Sequence, residues 1–350
     1  MKRKIMEIEP TLPRWKRVCW RIGLTFVFLS LVAATIWCCA ALYFDFNFPS
    51  LRIPAAAFYV ICALSACCVA KTPASRAAIL AGGFAVVLVW WLSLKPSNDR
   101  AWQSDVSQMP WAEIHDDQVS IHNFRHCEYR SEFEYTCSWT TKEVKLSDVR
   151  GIDFFITYWG SPWIAHTILS FQIGDDDHLA MSIETRKVVG QQYSAIQGFF
   201  RKYTLIYVIA DERDLIKLRT NYRKGEDVYM YRTKADPAFA QALFVEYLRR
   251  ADELRQRPQW YNALTNNCTT VIFKQMTELT LGAPPKWDWR YLLNGHSDQM
   301  EYEKGNLAGN LPFAELKKAA HINLSARAAG DAPDFSKRIR QGRPGFDTPH

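Results

Sequence analysis

In QWYNALTNNCTT, residues 259–270, a single cysteine follows two asparagines and precedes two threonines. Asparagine side chains cap helices by accepting hydrogen bonds from the unpaired N–H groups of the first turn. Asn266 and Asn267 therefore predict a helix start, with Cys268 in its first turn. A helix N-terminus is electropositive and favours a thiolate over a thiol. Its free N–H groups, that of Cys268 among them, could also hold an oxyanion. This is the chemistry of a nucleophile, and it needs a base. Among the histidines beyond residue 95, only His166, in WIAHTIL, lies inside a strongly apolar run. A third, polar residue would orient the far imidazole nitrogen. Glu184 in LAMSIETRKV shares a strand face with Ser182 and is the first choice; Asp176 and Asp177 in the preceding turn are the alternatives. Each residue also has a plainer role open to it. Cys268 could be a small buried side chain, His166 a satisfied core histidine, and Glu184 a strand carboxylate paired with Arg186.

These side chains need a scaffold, and the flanking patterns supply one. Short alternating stretches (QVSIHNF, FEYTCSW, EVKLSDV) read as antiparallel strands. GIDFFITYWG leads into SPWIAHTILSFQIG, which carries His166, and LAMSIETRKV carries Glu184 at period two. YTLIYVIA is a buried run of strand length, and EDVYMYRTK is a further strand. DPAFAQALFVEYLRRADELRQRP is the longest amphipathic helix, with Asp236 as N-cap and Pro237 at the first position. The Cys268 helix should end near Gly282. DERDLIKLRTNYR reads as an ion-paired helix surface, on which Arg213, Arg219 or Arg223 could meet a phospholipid head group or a substrate carboxylate. Trp260, Trp287 and Trp289 either pack the domain or sit at a bilayer interface. A metal site at His122, His126, Cys127 and Cys137 is disfavoured, because His-x-x-x-His suits a helix and this stretch reads as strand. No metal and no cofactor are expected.

The chain has 350 residues, 48% of them hydrophobic and 14% aromatic, enough for a sizeable core. Its charge is uneven. Residues 1–95 hold 11 Lys+Arg against 3 Asp+Glu, and the remainder 32 against 33. The soluble part thus has no basic stripe, which argues against a nucleic-acid partner. Residues 22–44, 53–70 and 77–94 carry no charge, and 17–25 apolar residues suffice to cross a bilayer. The first run is too long for the apolar part of a signal peptide. Seven Lys or Arg precede it, and Lys71 and Arg76 lie between the second and third runs. The positive-inside rule then predicts a cytoplasmic N-terminus and a soluble domain facing the periplasm or cell exterior, tethered close to the membrane. Six of the nine cysteines lie in or beside the apolar runs. Cys127 and Cys137 flank a stretch that could form a hairpin, and pairing between them would leave Cys268 a free thiol on an oxidising side. The expected organisation is a membrane domain (1–95), a linker (96–110), a soluble domain (111–295) and a partly disordered C-terminal extension (296–350).

A strand histidine opposite a helix-capping cysteine is the papain-like pairing, here with His before Cys, the permuted order. SPWIAHTILSF, the block from MSIETRKVVGQQ to LIKLRTNYR, and YNALTNNCTT together resemble the periplasmic domain family found at the N-terminus of the lipoprotein N-acyltransferase Lnb. That family is similar to permuted NlpC/P60-type papain-like thiol enzymes. The resemblance covers about residues 111–295 and maps the family's His and Cys onto His166 and Cys268. Where the family usually has Gly before the His, this chain has Ala165. The resemblance implies an α+β domain with a mainly antiparallel sheet and packed helices. It also implies acyl chemistry through a thioester, by a hydrolase or acyltransferase acting on lipid or lipoprotein acyl groups. Membrane lipids and lipoproteins are the partners this implies. Peptidoglycan amide cleavage is the alternative enzyme reading, and a non-catalytic, membrane-tethered binding module the alternative outside enzymes.

Overall fold

A computed structural model describes residues 13–279 and 288–346. The chain divides into two compact units, Met1–Lys95 and Pro96–His350.

In the first unit, three helices are long and apolar enough to cross a membrane: α1 (Arg14–Asp45), α2 (Arg52–Val69) and α3 (Pro73–Ser93). Each overlaps one of the uncharged runs. Thr72 starts α3 with a reciprocal capping box: its hydroxyl accepts from the Ser75 N–H, and the Ser75 side chain accepts from the Thr72 N–H. Pro73, at the first helical position, has no N–H to leave unpaired. Most apolar side chains of these helices point outward, among them Phe26, Phe28, Ile61, Leu64, Val86 and Val89. Apolar residues on every face suit a helix whose solvent is lipid.

The second unit is α+β. Its strands are β1 (Trp111–His115), β2 (Gln118–Tyr129), β3 (Tyr135–Lys145), β4 (Val149–Trp159), β5 (Ala165–Ile173), β6 (Asp177–Arg186), β7 (Thr204–Asp211) and β8 (Glu226–Arg232). They form one sheet in the order β1-β2-β7-β6-β5-β4-β8, with β3 paired to β2. All pairings are antiparallel except the single parallel bridge between β2 and β7 at Arg125 and Ala210. FEYTCSW and EVKLSDV, expected as separate strands, run together as β3. Cys127 and Cys137 stand opposite each other across β2 and β3 and are joined as a disulfide.

The central strands β4 to β7 are buried on both faces, hence their near-continuous apolar sequence. Helix α5 (Pro237–Gln256) covers one face. Asp236 Oδ1 accepts from the Phe239 N–H at 2.7 Å, the cap its sequence announced. Phe171 of β5 meets Phe244 and Tyr247 of α5 edge to face, with centroids 5.2 and 5.8 Å apart. Helix α6 (Cys268–Leu279) lies beside α5. Its expected end at Gly282 lies outside the described residues. On the other face, DERDLIKLRTNYR forms the short helix α4 (Glu212–Lys217) and a π-helical turn, Leu218–Tyr222.

Two expectations about the flanks need correction. The 96–110 segment packs on the domain instead of linking to it: Trp102, Val106 and Met109 are buried. Arg186 binds this segment, donating to the carbonyls of Val106 and Ser107 and to the Asn98 side chain. The residues after 295, expected to be partly disordered, form α7 (Ser297–Glu303), α8 (Phe313–Ala320), α9 (Asn323–Ala329) and α10 (Phe335–Arg340). Leu316, Ile322, Phe335 and Ile339 lie in the core. Arg340 holds this region down from beneath, contacting Asp153 and Glu212 at 2.6 Å each.

Candidate active site

Cys268 is the first residue of α6. The cap is Asn267. Its Oδ1 accepts from the Thr270 N–H at 2.9 Å, while Thr270 Oγ1 accepts from the Asn267 N–H at 2.9 Å. This reciprocal arrangement is a capping box with Thr in the third position. Asn266 is not a cap: its side-chain amide donates to the Trp260 carbonyl, and its backbone pairs with Asn262, closing the turn before the helix. The N–H groups of Cys268 and Thr269 are the first two of α6 and have no intrahelical acceptor. They sit beside the thiol and could receive a developing oxyanion.

His166 is the second residue of β5, and its partner strand β6 diverges at this point. The β5–β6 ladder runs from Ile168 and Ser182 toward the turn and stops short of His166 and Glu184. Because pairing is antiparallel, His166, Ser182 and Glu184 share one face. His166 Nε2 lies 2.8 Å from Ser182 Oγ and 3.1 Å from Glu184 Oε1. Ser182 Oγ donates to that same carboxylate oxygen at 2.7 Å. Asp176 and Asp177 stand elsewhere, near Lys337 and Lys142. Of the sequence candidates, Cys268, His166 and Glu184 come together.

The charge balance follows from these contacts. Burial opposes charging His166, but the Glu184 carboxylate outweighs it, and with the Cys268 thiol as a hydrogen-bond partner the imidazole is pushed up to about 9. Burial likewise would raise the Cys268 thiol. The His166 imidazolium and hydrogen bonds from Thr167 override that, and the thiol comes down to about 7. Glu184 is held well below the usual carboxylate range: burial would raise it, and His166 and Arg219 oppose that. Between about pH 7 and 9 the favoured state is thus a thiolate beside an imidazolium.

Arg219 is the residue that sequence reasoning placed wrongly. It is buried, not on a solvated helix surface. It donates to Glu184 Oε1 at 2.7 Å and to Glu226 Oε2 at 3.4 Å. It thereby fixes the same Glu184 oxygen that His166 and Ser182 contact. Arg213 is exposed, and Arg223 pairs with Glu226 and Glu132. Asn294, which the sequence did not single out, ties β5 to α6. It exchanges two hydrogen bonds with the Ala165 backbone, at 2.9 and 2.6 Å, and donates to Thr269 Oγ1 at 2.7 Å. Thr269 Oγ1 in turn lies 2.9 Å from Thr167 Oγ1. Gly295 follows because a Cβ there would fall 2.1 Å from the Pro162 carbonyl oxygen, so only glycine permits this approach to the loop before His166.

Apolar side chains stand exposed around the pair. Trp163 and Ile164 precede His166, and Leu264 precedes Cys268. Trp289 is exposed, with its ring 6.5 Å from that of Trp163 and 5.3 Å from that of His296. Trp260 bridges to Thr204 at the start of β7, and Trp287 lies outside the described residues.

Comparison with known proteins bears on this arrangement. Residues 135–295, a span that contains His166, Glu184 and Cys268, match the family model of the Lnb N-terminal periplasmic domain. Neither a curated protein nor a solved structure matches the chain.

Proposed function

From a periplasmic domain of this family in a chain with three apolar N-terminal helices, we propose a multi-pass protein of a bacterial inner membrane whose soluble domain is a papain-like thiol acyl hydrolase or acyltransferase. One arrangement carries the reading: a thiol at a helix N-terminus whose ionisation is coupled to an imidazole, and a half-buried carboxylate 3.1 Å from that imidazole's Nε2. Nε2 is engaged by Ser182 and Glu184, which leaves Nδ1 for the thiol. In the first step the Cys268 thiolate attacks an ester carbonyl. The N–H groups of Cys268 and Thr269 hold the oxyanion, and the imidazolium of His166 gives its proton to the departing alkoxide as the C–O bond breaks. In the second step water or an amine attacks the thioester, His166 takes up the proton, and the thiolate leaves. Glu184 never leaves its carboxylate form. It fixes the ring and stabilises its positive charge, and Arg219 keeps Glu184 in place.

Lipid or lipoprotein acyl groups fit the surroundings best. Trp163, Ile164 and Leu264 would leave an aqueous, sugar-lined substrate facing bare hydrocarbon, whereas an acyl chain is compatible with them. The test is full-length protein in nanodiscs, incubated with a fluorescent diacyl phospholipid and an amine-bearing lipopeptide. Wild type should release or transfer labelled acyl groups, and His166→Ala should lose at least about a hundredfold of that rate. Equal rates for the two proteins would refute the assignment. Cleavage of peptidoglycan fragments with no acyl transfer would replace the lipid reading by the amidase one.

A further inference from the structure

A second feature adjoins the dyad. A cavity of about 340 Å³ lies between β4, β5, α5 and α6, large enough for a small ligand. Its walls are apolar: Phe154, Leu169, Leu243, Ile272 and Met276. One end is formed by Thr167 and Thr269, whose hydroxyls meet there. This end adjoins the nucleophile, since Thr269 Oγ1 lies 2.9 Å from Thr167 Oγ1 and 3.8 Å from Cys268 Sγ. The long axis follows from the strand register. Thr167 pairs with Ile156, Leu169 with Phe154, and Phe171 with Ile152, which lines the far end. Four residues of strand separate the two ends, about 13 Å. Beyond Ile152 the lining turns polar, with Lys234, Asp236 and Glu301.

We propose that this cavity receives the hydrocarbon chain of the acyl group carried by Cys268, and that Leu169 and Met276 limit its length. The proposal rests on the acyl-transfer reading above. The slot runs from the nucleophile's immediate neighbour along the sheet, and its middle offers no hydrogen-bond partners. A sugar or peptide there would leave buried polar groups unpaired, at a cost an alkyl chain does not incur. A chain longer than the apolar stretch would meet the charged groups at the far end, so the geometry sets an upper limit as well as a preference. Thr167 and Thr269 stand where the chain would leave the carbonyl.

Chain-length selectivity tests this in the full-length protein in nanodiscs, with p-nitrophenyl butanoate and p-nitrophenyl decanoate as probes. In each, p-nitrophenolate leaves as the acyl carbon bonds to Sγ, and water then releases the carboxylate and the thiol. Wild type should prefer decanoate. Met276→Trp and Leu169→Phe, which fill the slot, should each lower kcat/KM for decanoate by at least about tenfold, while butanoate stays within about twofold. Met276→Ala should shift the optimum toward longer chains. Butanoate turnover reports folding within the same sample. An unchanged decanoate-to-butanoate ratio in both filling variants overturns the cavity assignment and leaves the dyad standing. Failure of both esters to acylate Cys268 in wild type overturns the acyl-transfer reading, and the cavity assignment with it.

Discussion

Cys268→Ser should lower acyl turnover by at least about a thousandfold, and Cys268→Ala should abolish the covalent adduct. The serine hydroxyl ionises far above the range that the His166 imidazolium can bring down, so the attacking anion is lost though the geometry is kept. Residues that act as one unit are strongly non-additive. The double variant Cys268→Ala/His166→Ala should therefore be no slower than the worse single variant. Initial rates on a labelled phospholipid, with thermal melts as a control on folding, check both points. Multiplicative losses in the double variant would mean that the two side chains act independently, contrary to the coupling between their charges. The cavity left by Cys268→Ala is small, so melting temperature should fall by only a few degrees.

The largest effect on stability is expected at Arg340. It is buried against Asp153 and Glu212, two carboxylates with no exposed surface. Burial would raise Glu212, and Arg340 overrides this and holds it down at about 2. Arg340→Ala leaves the two carboxylates with Arg232, the Ser170 hydroxyl and the His178 ring, 3.9 Å from Asp153, as neighbours. Removing one partner from a buried ionic cluster costs about 3–5 kcal/mol, because the remaining charges are desolvated and unpaired. Urea unfolding of the full-length protein checks this through the shift in midpoint. A change below about 1 kcal/mol would mean that the C-terminal helices lie on the domain without supporting it. Arg340→Met, which keeps the stem but not the charge, should fall close to the alanine variant. The loss is electrostatic, not one of packed volume.

What could be read from the sequence, and what could not, divides along a physical line. Features set by neighbours in the chain were legible. The uncharged runs became α1 to α3, Asp236-Pro237 began α5, and the asparagine before Cys268 placed the thiol at the first position of α6. Strand periodicity put Ser182 and Glu184 on one face, which is why Glu184 stood out as the residue to orient His166. Features set by partners far along the chain were not legible. Arg219 lies in a run of charges that looks solvated. Its burial depends on Glu184 of β6, 35 residues back, and Glu226 of β8. Asn294 links Ala165 with Thr269, residues separated from it by 129 and 25 positions. The C-terminal helices are short and polar overall. Each spans only six to eight residues, so although Leu316, Ala320, Phe335 and Ile339 enter the core, the apolar face of each is too short to stand out as a period. Two adjacent asparagines gave no means of telling which one caps, and the turn at Asn262 takes Asn266 away.

The most direct test of the central claim is the pH dependence of Cys268 alkylation by iodoacetamide, read site by site with mass spectrometry on the full-length protein. Iodoacetamide reacts with the thiolate, so the rate follows the ionised fraction. The thiol of Cys268 is brought down to about 7 because His166 is charged up to about 9. Below pH 7 the thiolate is protonated and the rate should fall. Between 7 and 9 it should be high and flat. Glu184→Gln withdraws the charge that holds the imidazolium, so its midpoint should move upward, toward the free-thiol value of about 8.5. A wild-type midpoint at or above that value, unmoved by Glu184→Gln, would contradict the account: Cys268 would then be an ordinary buried thiol at the start of a helix.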